Sequence, residues 1–204
     1  MNDELWFRAA VAVGILSVAV MGAYFRIRNR PRGETIDRMQ EGLVMLIGLR
    51  LLGLLGVASL VVYVARPEWM TWSQLALPPL LRWMGVPAGV CGWLLMLWMF
   101  RHLGMNITDT VVTRAEHTLV TTGPYRWIRH PLYSAMLLLV AGASLLSANW
   151  LVPLIGVAAF VLLVIRTRKE EANLVARFGD AYRDYMARTG RFMPHWRKAS
   201  RDGD

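Results

Sequence analysis

The fold class predicted by this sequence is an all-α integral membrane protein. It has five transmembrane helices, the last two a helical hairpin, with a cytoplasmic connector before the hairpin and an amphipathic helix after it. Three observations predict this. The 204 residues are 55% hydrophobic with mean hydropathy +0.37, more apolar than a soluble domain of this size. The apolar residues fall in blocks as long as a bilayer crossing. The basic residues gather in alternate loops, the pattern by which membrane proteins fix their orientation.

The first span runs from about Leu5 to Phe25, interrupted only by Arg8, which is close enough to one end to snorkel. A basic loop follows, with Arg26, Arg28, Arg30, Arg32 and Arg38 around the helix-breaking Pro31. The second span covers about Gly42 to Ala65, and its small residues Gly48, Gly53 and Gly56 suit close helix packing. Arg50 lies within it, either lining an acceptor cavity or snorkelling. Glu68 to Leu81, with Trp69 and Trp72, reads as an interfacial connector because indoles favour the headgroup level. The third span is about Arg82 to Phe100.

Arg101 to Arg129 is a polar connector with little periodicity, where Val111-Val112-Thr113 and Thr118-Leu119-Val120 are candidate extended pieces. The fourth span starts at Pro131, a favoured first helical position, and ends near Ser147. A tight turn at Ala148-Asn149 leads to the fifth, about Trp150 to Ile165. From Lys169 to Arg188, Leu174, Phe178, Tyr182 and Tyr185 recur at helical spacing, and Gly179 is placed to split or bend that helix. Arg197 onward is expected to fray, and no internal repeat is evident.

Charge and cysteine content exclude several classes. Net charge +9 and a pI near 10.6 would suit nucleic acid, but these cations flank apolar spans, where they set topology and meet anionic lipid. The positive-inside rule puts the N-terminus outside and the C-terminus in the cytoplasm. Arg101, Arg114, Arg126, Arg129 and ten basic residues from Arg166 to Arg201 then share the inner side, against Arg66 and Arg82 outside. No cleavable signal peptide is expected, since Met1 to Glu4 is acidic. The single cysteine, Cys91, forms neither an intrachain disulfide nor a metal site.

The stretch His117-Thr118-Leu119-Val120, Gly123-Pro124-Tyr125-Arg126 and Arg129-His130-Pro131-Leu132-Tyr133 concentrates ionisable side chains between apolar runs. Charged groups are costly in hydrocarbon, so the cluster marks a candidate site. Together with Arg166, Glu170-Glu171, Phe178-Gly179, Tyr182, Tyr185 and Arg191-Phe192-Met193-Pro194, it resembles the isoprenylcysteine carboxyl methyltransferase family of integral-membrane methyltransferases. The resemblance covers roughly Thr110 to Trp196. It implies an S-adenosyl-L-methionine-dependent enzyme with residues 1–100 as three N-terminal membrane helices and 101–204 as the catalytic region.

Carried over by position, His117, Leu119, Val120, Tyr125, His130 and Tyr133 would contact the cofactor. Glu170 would bind a polar end of it, and Arg166 would face the acceptor. Thr110 stands near where some members place a cofactor-contacting Gln. Arg129 suits the cofactor carboxylate, and a Tyr125 or Tyr133 ring face suits the sulfonium. Arg166 and Glu170, four residues apart, share one helix face. Plainer roles compete. His130 is placed to cap the fourth span, Arg126 to anchor it, Glu171 to begin a solvated helix, and Tyr182 and Tyr185 to pack.

The implied acceptor is lipophilic and reaches the site from the membrane: an isoprenylcysteine-like carboxylate, a phospholipid amine or a small lipophilic acid. Implied partners are thus a lipophilic small molecule or prenylated substrate and membrane lipid, without nucleic acid. A nicotinamide-dependent membrane reductase lacks a Gly-x-Gly-x-x-Gly fingerprint here. A non-enzymatic scaffold leaves the dense polar connector without a purpose.

Overall fold

A computed structural model describes residues 2–28, 43–103 and 119–195. Within these, the chain is helical: α1 Asn2–Arg28, α2 Leu43–Ala65, α3 Pro79–Trp83, α4 Gly85–Leu103, α5 Pro131–Ser147, α6 Leu151–Phe178 and α7 Asp180–Arg188. Two 3₁₀ turns, Pro67–Ser73 and Gly123–Arg126, join them. Four stretches are long and apolar enough to cross a membrane: Asp3–Arg28, Met45–Ala65, Pro79–Leu103 and Leu151–Phe178; Pro131–Ser147 is shorter. His117, Thr110, the extended pieces from Val111 to Thr118, most of the basic loop after Arg28 and the tail from Trp196 lie outside the described residues.

Two boundaries differ from the sequence reading. The fifth apolar block does not end at Ile165. It continues without a break through Arg166 to Phe178, because its charged half contains straight-chain residues and no helix breaker until Gly179. Gly179, at φ +56°, then turns the chain into α7. The connector Glu68 to Leu81 is also more structured than a loop, holding a 3₁₀ turn and the start of α3, with Trp69 and Trp72 exposed.

The closest helix pair is α4 against α5, which meet through glycines. A Cβ at Gly142 would come 2.7 Å from the Gly85 carbonyl oxygen, and one at Gly92 would come 2.8 Å from that of Ala135. The glycines picked from the second span behave differently. Gly48 packs tightly against Leu162, Gly56 makes an ordinary contact, and Gly53 faces open space. Gly142→Ala gains about 1 kcal/mol of helix propensity, but its methyl meets backbone that cannot move aside. The expected net result is a loss of about 1–3 kcal/mol, read as a lower melting temperature in detergent.

The end of the molecule holding the N-terminus is tied by charge. Arg82 donates to the Glu4 carboxylate at 2.7 Å, to the Tyr63 hydroxyl at 2.9 Å and to the Leu146 carbonyl, with its guanidinium 3.9 Å from the Phe7 ring centroid. Arg8 donates to the Val64 carbonyl at 2.9 Å, satisfying an end group of α2 as well as escaping the apolar interior. Arg50 is exposed on α2 and is not among the residues lining the cavity described below. The α5–α6 turn is held by Asn149, whose Nδ2 donates to Ser73 Oγ at 2.7 Å, while Ala148 takes the left-handed conformation at φ +46°.

Candidate functional site

At the opposite end, the connector, α6 and the C-terminal tail form one polar knot around Glu171. This carboxylate is only 4% exposed. It accepts from Arg129 Nε at 3.0 Å, from Arg191 and, at 3.3 Å, from His130 Nε2. Arg129 also donates to the backbone carbonyls of Met186 and Thr189, which tie it to the end of α7. The tail is zipped to the connector by main-chain bonds: Arg129 N–H to Gly190 O, His130 N–H to Arg191 O and Gly190 N–H to Trp127 O, all 2.9–3.1 Å. Three segments distant in sequence thus meet at one carboxylate. The expectation that Glu171 begins a solvated helix is therefore incorrect, because Arg129 and Arg191 fold over it from both sides.

Its neighbour Glu170 points elsewhere, since successive helical side chains diverge by about 100°. Glu170 accepts from the Tyr133 hydroxyl at 3.2 Å, and its side chain is 30% exposed. His130 is buried and stacks on Tyr133, with centroids 5.4 Å apart and planes 4° from parallel. Phe192 from the tail tilts against both rings. His130 occupies the residue before α5 but makes no side-chain capping bond; its imidazole faces Glu171 and Tyr133 instead.

These groups open onto a cavity of about 410 Å³. Leu119, Val120, Tyr125, Arg129, His130, Tyr133, Arg166 and Glu170 all line it, so the described candidate residues converge on one space. Arg126 lies outside, exposed and near the Trp127 ring. One face of α6, Ala159, Leu163, Arg166, Glu170, Leu174 and Phe178, forms a wall at spacings of three and four. Along that wall Arg166 and Glu170 interrupt an otherwise apolar lining, with Ala159 and Leu163 before them and Leu174 and Phe178 after. Leu49 and Gly53 of α2, Met99 and Leu103 of α4 and Met136 of α5 add further apolar lining. The helical spacing of Leu174 and Phe178 is legible in the sequence, but their place on the cavity wall with Arg166 is not.

Three tyrosines close the far end. Tyr182 and Tyr185 are almost fully buried, and the Tyr185 hydroxyl donates to the Tyr125 carbonyl at 2.7 Å. Burial pushes the Tyr185 phenol up to about 12, and those of Tyr125 and Tyr182 well above the ordinary value. All three remain neutral at physiological pH, so none supplies a phenolate base. Among the described residues, no cluster of His, Cys, Asp or Glu is arranged to hold a metal.

Residues 85–176 match the isoprenylcysteine carboxyl methyltransferase family model, starting earlier than the motifs that suggested the resemblance. Over 98 residues the chain is 37% identical to protein-S-isoprenylcysteine O-methyltransferase of Mus musculus, covering 45% of this chain and 33% of that protein. It is 31% identical over 70 residues to methanethiol S-methyltransferase of Mycobacterium tuberculosis, covering 34% of this chain and 28% of that one. The chain therefore spans about a third of the length of the curated relatives it matches. The solved structure of the eukaryotic intramembrane Ras methyltransferase, an isoprenylcysteine carboxyl methyltransferase, superposes with a TM-score of 0.55 at 20% identity, covering 88% of this chain and 65% of that one. That likeness gives the fold, and with the apolar helices it makes this an integral membrane protein.

Proposed function

We propose, on the premise that residues 85–176 carry the sequence of the isoprenylcysteine carboxyl methyltransferase family, that this protein transfers a methyl group from S-adenosyl-L-methionine to a lipophilic acceptor, the carboxylate of an isoprenylcysteine-like molecule. One observation carries the reading: the described residues suggested by the motifs line a single cavity, whose wall sets the charged Arg129, Arg166 and Glu170 among apolar side chains.

The lining fits this cofactor. Glu170 offers a partly exposed carboxylate for its amino group or ribose, and the rings of Tyr125 and Tyr133 offer faces for a sulfonium. His117, with Leu119 and Val120, belongs to the same proposed set. Bound S-adenosyl-L-methionine supplies an electrophilic methyl group on sulfur. Arg129, committed to Glu171 and to the end of α7, acts chiefly by positioning His130 and the connector. Its proposed grip on the cofactor carboxylate is secondary.

Arg166 stands between the apolar Leu163 and the carboxylate of Glu170 on the cavity wall, so it orients the acceptor carboxylate while apolar lining such as Leu49, Leu163 and Met136 receives its hydrocarbon. A carboxylate is already ionised at pH 7, so these residues need only align it and exclude water. In this reading five helices cross the membrane, with α5 and the start of α6 as a hairpin. Residues 1–100 provide three of these helices and part of the cavity wall, and 101–204 provide the charged residues of the site, on the cytoplasmic side.

A thiol acceptor is the second reading, favoured by the similarity to the mycobacterial methanethiol methyltransferase. Calorimetry of the detergent-purified protein with S-adenosyl-L-methionine and S-adenosylhomocysteine tests the cofactor. Wild type should bind both, and His130→Ala should weaken binding by about tenfold or more. Absence of binding by folded wild type overturns the proposal. Turnover of an S-farnesylated cysteine derivative against methanethiol then separates the acceptors.

A further inference from the structure

A second cavity, of about 760 Å³, lies along the outside of the α1–α4 contact and shares no residue with the site above. Its walls are apolar apart from Ser17 until the last turns of α1 and α4, where Arg28 and Arg101 both line its rim. Both arginines are exposed. Arg28 donates to the Tyr24 hydroxyl at 2.8 Å, which leaves the phenol its own proton to give.

We propose that this groove binds one anionic glycerophospholipid, its phosphate between Arg28 and Arg101 and an acyl chain along α1 and α4. Two features favour that occupant. The rim carries two positive charges and a hydroxyl donor, the complement of a phosphate. The length also fits: the helical rise from Val13 to Arg28 is about 22 Å, close to one leaflet with its headgroup, roughly 20–22 Å. A zwitterionic lipid has the chain but not the net charge, and a second protein copy would place an apolar helix against two arginines.

Trp93 lines the groove about 12 Å below Arg101 along α4, at acyl-chain depth, and reports occupancy. The full chain is reconstituted in phosphatidylcholine vesicles containing mid-chain-brominated phosphatidylglycerol or, in parallel, brominated phosphatidylcholine. The Trp93 contribution is the fluorescence difference between wild type and Trp93→Phe. Brominated phosphatidylglycerol should quench that contribution at a lower mole fraction than brominated phosphatidylcholine. The double variant Arg28→Gln, Arg101→Gln should raise that mole fraction on the order of tenfold, with its melting temperature unchanged. Equal quenching by the two lipids, quenching unaltered in the double variant, or no quenching by either (the signature of a groove covered by protein) overturns the proposal.

Discussion

Glu171→Ala is expected to lower the stability of the folded protein by about 3–5 kcal/mol and to abolish cofactor binding with it. The magnitude follows from what the substitution leaves behind. Arg129 is 9% exposed, and its Nε would keep its charge with the facing carboxylate gone. Arg191, at 37% exposed, can turn to water and recovers part of its loss. His130 would lose its 3.3 Å partner and with it the restraint on its stacking against Tyr133.

Glu171→Gln separates the two consequences. The amide keeps the shape and some hydrogen bonds, so the melting temperature should fall less, while calorimetry should still record weaker binding because His130 and Arg129 are no longer held by charge. Thermal denaturation in detergent and titration with S-adenosylhomocysteine measure both. An unchanged melting temperature for Glu171→Ala would mean that the knot does not hold the tail to α6. Coupling in a double-mutant cycle with Arg191→Gln would show that the two act as one unit.

That residue also shows where the sequence stopped being informative. The apolar blocks, the start of α5 at Pro131 and the break at Gly179 rest on local rules, helix periodicity and the special backbone needs of proline and glycine, and the structure has them in place. The convergence of Leu119, Tyr125, His130, Tyr133, Arg166 and Glu170 was accessible because the motifs carry their order and spacing. Glu171 was not accessible. Its burial depends on Arg129 and Arg191, which lie 42 and 20 residues away, and no local pattern announces a carboxylate that will receive both. The continuous helix through Arg166 was hidden for a different reason: hydropathy falls there, but the backbone has no cause to stop. Likewise, Gly85, Gly92 and Gly142 look no different in sequence from Gly53, yet only the first three meet another helix.

Arg166→Ala should lower kcat by about 10²–10³ while leaving S-adenosylhomocysteine affinity nearly unchanged. That is the range seen when one preorganised electrostatic contact to a reacting group is removed. The expectation rests on position. Leu163 and Ala159 precede Arg166 on the cavity wall of α6, and Glu170 follows it by one turn, so Arg166 stands between the proposed acceptor and cofactor spaces. A guanidinium there fixes a carboxylate by paired hydrogen bonds. Lysine keeps the charge without the fork, so Arg166→Lys should recover only part of the rate and should do so mainly through KM. If the acceptor is instead a thiol, which reacts as the thiolate after losing its proton to solvent, the guanidinium fork has no paired oxygens to hold and its removal should cost little. If cofactor affinity collapses together with turnover, Arg166 holds the cofactor or the local structure, and the division of the cavity at this residue is wrong. Measuring kcat, KM and cofactor affinity on the same preparations distinguishes these outcomes, because the first lowers kcat with cofactor affinity kept, the second changes little in any of the three, and the third lowers kcat and cofactor affinity together.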